Sequence, residues 1–152
     1  MLRDGDFVLW ETIAILQYLA ALDPDAQLLP REERMRADTA RWMTWGLAHW
    51  NPALQPFIFE RIFKPLKGIG EPDEKRLETL RPKLDSAATV LEGQLARTQS
   101  VCGSRTSIAD IYLAAYPMYA AQAGINLDSY PRVRAWLHTM HELPHWRSAA
   151  SG

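Results

Sequence analysis

Glu11 and Thr12 have the clearest chemical use in this chain, because of what flanks them. Before them runs Phe7-Val8-Leu9, a short β-prone stretch. After them Ile13, Leu16 and Leu19 recur three apart, and Ile15 and Leu19 four apart, the spacing of one helix face. The pair therefore stands at a strand-to-helix junction, with Thr12 placed to cap the helix. The first turn of a helix has amides without internal partners and the positive end of the helix dipole, so this junction suits an anion. Asp4-Gly5, just upstream, predicts a tight hairpin turn, since glycine takes positive φ at no steric cost.

Other reactive residue types are present without the company they need. Cys102 is the only cysteine, which excludes an internal disulfide and a cysteine metal cluster. His138, His141 and His145 lie close in sequence, and His138 with His141 can share a helix face. No thiol and no acidic residue stands at a zinc spacing from them, so no metal site is expected and the histidines read as exposed helix residues. Ser107 and Asp110 have the spacing of N-cap and N3 at a helix start, where the serine oxygen accepts from the N3 amide and the carboxylate from the N-cap amide. That assigns them a structural cap and no catalytic role. There is no Gly-rich phosphate loop, nucleophile elbow or internal repeat.

The remaining chain supplies helices to position these groups. Asp23-Pro24-Asp25 ends the first helix, because proline cannot continue it, and residues 23–30 read as a linker. From Arg31 a helix is predicted with Ala37, Ala40, Met43 or Thr44, Leu47 and Trp50 along one side, bent or interrupted by Pro52 and Pro56. Leu77, Leu80, Leu84, Ala88, Leu91 and Leu95 predict a further helix over 73–97, kinked near Glu78 to Pro82. Pro131 opens a closing helix.

Seventeen basic and eighteen acidic residues give a net charge of -1, which leaves no electrostatic footprint for nucleic acid or an anionic membrane. No run approaches a membrane span, and nothing after Met1 resembles an export signal. A reducing cytoplasm fits best. At 152 residues with 47% hydrophobic content the chain can bury one ordinary core.

Three ordered motifs resemble the cytosolic glutathione transferases. Asp4-Gly5-Asp6-Phe7 through Glu11-Thr12 and Tyr18-Leu19 is similar to the segment that closes their thioredoxin-like domain. Thr106-Ser107-Ile108-Ala109-Asp110 resembles the capping motif of their helical domain. Pro131 through Trp136, Met140 and Pro144 is similar to their closing helix. Thr12 stands for the commoner serine and Thr106 for the usual apolar staple. The Arg41-Trp42-Met43-x-Trp45 run resembles theta-like and related bacterial members.

The resemblance implies a mainly α fold: an all-α C-terminal helical domain, 31–152, preceded by a partial thioredoxin-like segment, 1–22, consisting of a β-hairpin remnant and one helix. It implies an N-terminally truncated transferase whose catalytic Tyr, Ser or Cys lies upstream, so that no catalytic residue is in this chain. Glutathione is the implied co-substrate, its γ-glutamyl end held by Glu11 and Thr12. The second substrate is a small hydrophobic electrophile, its pocket edged by Trp45, His49, Trp50 or Phe57. Core packing is the plainer reading of those aromatics. A homodimer is implied for the intact protein. Two rivals remain: a non-catalytic transferase-like interaction domain, and a cysteine-type glutathione-dependent reductase or dehalogenase relative.

Overall fold

The computed structural model describes residues 1–144 and 146. Strands β1 (Leu2–Asp4) and β2 (Phe7–Leu9) pair antiparallel, with Leu2 opposite Leu9 and Asp4 opposite Phe7. The turn residues are Gly5 and Asp6 rather than Asp4 and Gly5: Asp4 still belongs to the ladder, and Gly5 takes the first central position at φ 57°. A primed two-residue turn needs a glycine there. Helix α1 (Thr12–Leu22) folds back on the hairpin, where the Tyr18 hydroxyl donates to Asp4 and its ring lies 5.4 Å from that of Phe7.

The linker is tied down at both ends. Asp23 accepts from the Ala26 amide at 3.2 Å across a short 3-10 turn. The Leu28 carbonyl accepts from the Ile108 amide at 2.9 Å, which joins the linker to the helix start predicted at Ser107.

Beyond the linker the helix does not stop at Pro52. Helix α2 (Glu33–Trp45) passes through a π turn at Gly46–Trp50 into α3 (Asn51–Ile58), then through a second π turn at Phe59–Phe63 into α4 (Lys64–Leu66). In each π turn an amide reaches five residues back, Asn51 to Gly46 and Lys64 to Phe59. Pro52 and Pro65 follow directly. A proline has no N–H to give and crowds the carbonyl four residues before it, and a widened turn moves the backbone clear. The helix is thus widened at Pro52, where a bend or interruption was expected, and Pro56, the other expected site, lies inside α3.

The buried side of α2 also differs from the expected one. Thr39, Trp42, Met43, Gly46 and Trp50 are buried, whereas Ala37, Ala40 and Leu47 are exposed. An alanine buries too little area to orient a helix against two tryptophans. Thr39 tolerates burial because its hydroxyl donates to the Met35 carbonyl at 2.9 Å.

Helix α5 (Glu74–Leu95) begins at Asp73, which caps the Arg76 amide, and runs through Pro82 without a break. Glu78 is exposed there, so water can take the carbonyl that Pro82 leaves unpaired. Helix α6 (Ile108–Ala115) starts at the predicted capping box, and α7 (Pro131–His141) has Pro131 at its first position. The Glu92 carboxylate of α5 accepts from the amides of Arg132 at 3.1 Å and Val133 at 3.0 Å, so one helix caps another. Leu54, Leu77, Leu84, Leu91, Leu113, Val133 and Met140 form the shared core. Among the described residues no helix is long and apolar enough to cross a membrane.

Candidate functional site

The junction between β2 and α1 opens onto a cavity of about 830 Å³. One side is Glu11, Thr12, Ile13 and Ala14. The facing wall comes from Leu47, Asn51 and Pro52 at the α2–α3 join, from Tyr112 of α6 and from Tyr116 just beyond its end. Sequence reasoning placed Thr12 as the helix cap, but the cap is Glu11 and Thr12 is the first helical residue. The cause is the Glu11 backbone, which turns through φ 74° and ψ 120°. A side-chain-bearing residue rarely adopts that conformation, and it costs about 1–3 kcal/mol.

This turn has two chemical results. It points the chain into α1 so that the first internal bond is Ile15 N–H to Glu11 C=O at 3.0 Å, which leaves the amides of Thr12, Ile13 and Ala14 without helical partners. No acidic residue occupies the first turn to satisfy them. Glu11 and Thr12 are exposed at the cavity rim, so a carboxylate, a hydroxyl and a helix N-terminus are side by side. Such a set can hold a ligand that carries an ammonium and a carboxylate close together.

The facing wall is mostly apolar with two buried polar groups. Burial pushes the Tyr112 phenol up from its ordinary range, and Glu11 and Tyr116 add to the rise while Asn51 opposes it. At neutral pH the hydroxyl is therefore protonated and able to donate. Asn51 is 8% exposed and its side chain lies against the Tyr112 phenol; among the described residues its carboxamide oxygen has no further partner.

The aromatics expected around the second substrate, Trp45, His49, Trp50 and Phe57, do not line this cavity. Trp50 is fully buried, its indole donating to the Leu113 carbonyl at 3.0 Å, and Phe57 is buried in the same core. Trp45 stacks on Trp50 at 6.3 Å and meets Trp42 edge-on at 5.2 Å. With His49 it lines a smaller depression of about 330 Å³ against Lys83 and Val90, away from Glu11. Leu47, Asn51 and Pro52 take the place beside Glu11 and Thr12. Leu47, Asn51 and Gln55 stand four apart on this wall, whereas the expected face followed the three-residue step from Leu47 to Trp50, which the π turn at Gly46–Trp50 splits between outside and inside.

Ser107 and Asp110 are buried and form the capping box. Among the described residues no group of three or more His, Cys, Asp or Glu could hold a metal ion. His141 lies 3.1 Å from the Ala114 carbonyl, His138 is exposed, and His145 lies outside the described residues. Cys102 lines a separate cavity beside Arg105, and burial pushes its thiol up, opposite to what a nucleophile needs.

Comparison with known proteins identifies relatives. The family model described as "Glutathione S-transferase, C-terminal domain" matches residues 49–144. A probable glutathione S-transferase GSTF2 of Oryza sativa subsp. japonica is 30% identical over 152 residues, covering 99% of this chain and 71% of the relative. Glutathione S-transferase GstA of Escherichia coli O157:H7 is 29% identical, with the same coverage of 99% and 71%. Among solved structures, a glutathione S-transferase-I bound with lactoylglutathione superposes with a TM-score of 0.89 at 27% identity, covering 98% of this chain and 72% of that one.

Proposed function

From the premise that this chain belongs to the glutathione S-transferase family, we propose that Glu11 and Thr12 hold the γ-glutamyl end of glutathione while the wall from α3 and α6 receives a small hydrophobic electrophile. The observation that carries this reading is the Glu11 turn, which places free helix amides, the Thr12 hydroxyl and the Glu11 carboxylate on the rim of one cavity. The γ-glutamyl carboxylate accepts from the Thr12 amide and hydroxyl. The γ-glutamyl ammonium meets the Glu11 carboxylate, which would repel a second anion.

The transferase reaction joins the glutathione sulfur to the electrophile. Both γ-glutamyl contacts are made far from that sulfur and hold equally in ground and transition states, so they act on binding rather than turnover. On this reading residues 1–22 belong to the glutathione-binding half, 23–30 to the linker and 31–152 to the helical half. Cys102 is buried away from the cavity and is given no part in activating the thiol. A cytoplasmic homodimer completes the reading. It is supported by the near-even charge balance, the single cysteine, and the exposed Phe7, Val8 and Trp10 of the hairpin, which a further protein surface could cover.

Titration of glutathione against the full-length protein tests the assignment. Charged hydrogen bonds are worth about 1.5–3 kcal/mol, so Glu11→Ala should weaken affinity by roughly ten- to a hundredfold, and Thr12→Ala by less because its amide remains. The Michaelis constant for glutathione should rise with little change in saturated turnover. Unchanged affinity in a folded Glu11→Ala variant would remove the pair from the site.

A further inference from the structure

We propose that the second substrate carries an unbranched apolar tail, which lies in a groove leading out of the cavity between Phe59, Phe63, Tyr116 and Tyr119. This rests on the transferase reading above and names the substrate class that the facing wall takes. The groove follows from helix register. A row taken every fourth residue creeps round an α-helix, because a turn holds about 3.6 residues. A π turn holds more, so across it the same row creeps back. With π turns at Gly46–Trp50 and Phe59–Phe63, residues 47, 51, 55, 59 and 63 therefore keep to one side. Leu47, Asn51 and Gln55 line the cavity, and Phe59 and Phe63 continue the row beyond it, each 37% exposed.

The opposite side is built in parallel. Past α6 the chain makes a 3-10 turn, Tyr116–Tyr119, in which residues three apart eclipse one another, so both phenols stand on one side. Tyr116 lines the cavity, Tyr119 lies one turn further on, and each is 37% exposed. Met118, between them, turns away toward α7. The Tyr119 ring meets that of Phe63 edge-on at 6.2 Å, so the two rows come together at the end away from the cavity. The charged residues interleaved with these rings are committed elsewhere. Glu60 is buried against Lys64 and Arg76, and Arg61 binds Glu74 and the carbonyls of Ala123 and Gly124. From Gln55 to Phe63 the helix runs about 12 Å, the reach of an extended hydrocarbon chain.

Area decides between such a chain and a protein partner. Phenylalanine and tyrosine side chains carry about 150–250 Å² each, so four at 37% exposure, with Leu66 at 78% beyond them, offer on the order of 450 Å². A stable protein interface takes about 800 Å² from each partner. A hydrocarbon tail is covered by far less, and this strip opens directly from the cavity assigned to the electrophile.

The test titrates the full-length protein with S-methyl-, S-hexyl- and S-decylglutathione by calorimetry. The wild type should bind the decyl compound about tenfold more tightly than the hexyl one, since a methylene half-covered in a groove is worth about twofold. Phe59→Gln combined with Phe63→Gln should remove that gain and leave S-methylglutathione affinity unchanged. Should the double variant fail to fold, Phe63→Gln alone reads the loss. Equal affinities for hexyl and decyl in the wild type, or a gain that survives in the folded variant, overturns the proposal. So does a variant that loses S-methylglutathione as well, because the row then packs another part of the protein. Failure of the wild type to bind S-methylglutathione would instead strike the transferase reading. In that event 1-decanol against 1-hexanol, in wild type and variant, still decides whether the groove takes a hydrocarbon chain.

Discussion

The indole nitrogen of Trp136 donates to Oδ1 of Asp110 at 3.0 Å, which ties the closing helix to the start of α6. The same carboxylate accepts from the Val101 amide at 2.9 Å and from the Ser107 amide and hydroxyl, both at 2.9 Å. A fully buried charge is tolerable only when its lone pairs are filled in this way. Asp110 thus joins three segments that are apart in sequence.

Asp110→Ala should therefore cost about 3 kcal/mol or more, well above a simple cap, because it leaves the Val101 amide and the Trp136 indole buried without acceptors. Denaturant melts compare the two proteins. A loss below about 1 kcal/mol would show that water or a neighbour replaces the carboxylate.

Gly46 is the close-approach point between α2 and α6. A Cβ built there would stand 2.5 Å from Leu113 Cδ2 and 3.0 Å from the Tyr112 ring. Gly46→Ala should destabilise by about 1–3 kcal/mol despite the better helix propensity of alanine. Adding Leu113→Ala should cost less in that background than in wild type, a coupling that a double-mutant cycle measures.

Glu11→Gly separates stability from binding. Glycine accepts φ 74° without strain, so melts should show a gain of about 1 kcal/mol. Glutathione affinity should fall, since the carboxylate is gone. A variant that loses both would mean that the Glu11 turn is held by its own side chain.

Acid sensitivity should centre on Glu60. Its carboxyl is held below the usual range, first by the hydrogen bond from Lys64 at 2.7 Å, then by the Asp73 amide and the charge of Arg76, against the opposing effect of burial. A lowered carboxyl contributes stability that is complete above the unfolded-state value and is lost as pH falls through the folded one. The gap in urea midpoint between wild type and Glu60→Gln should be widest near about pH 7 and close toward about pH 3. A gap independent of pH would assign the effect to shape rather than charge.

How much the sequence disclosed depended on the range of the interaction. The α5 stripe, Pro131 at a helix start and the Ser107–Asp110 box are local patterns, and each forms where its spacing predicts. The reach of Asp110 to Trp136 crosses 26 positions and has no local signature. The cavity wall was hidden for a different reason. The π turn at Gly46–Trp50 puts Leu47 outward and Trp50 inward, so a constant helical period assigned both to one side. At Glu11 the residue types placed a strand-to-helix junction between Leu9 and Thr12, and the structure has it there. The positive φ that makes Thr12 the first helical residue was not visible, because no residue-type preference favours glutamate there.

The bond from the Ile108 amide to the Leu28 carbonyl links two main chains with no side chain involved. No point substitution short of proline at position 108 can delete it, so drift in the linker sequence leaves the coupling intact. The segment before α2 and the start of α6 are thereby indexed to each other by backbone geometry. Asp23, Leu28 and Leu29 keep side-chain roles in this stretch, while an insertion or deletion between Leu28 and α2 would shift the cavity walls relative to one another.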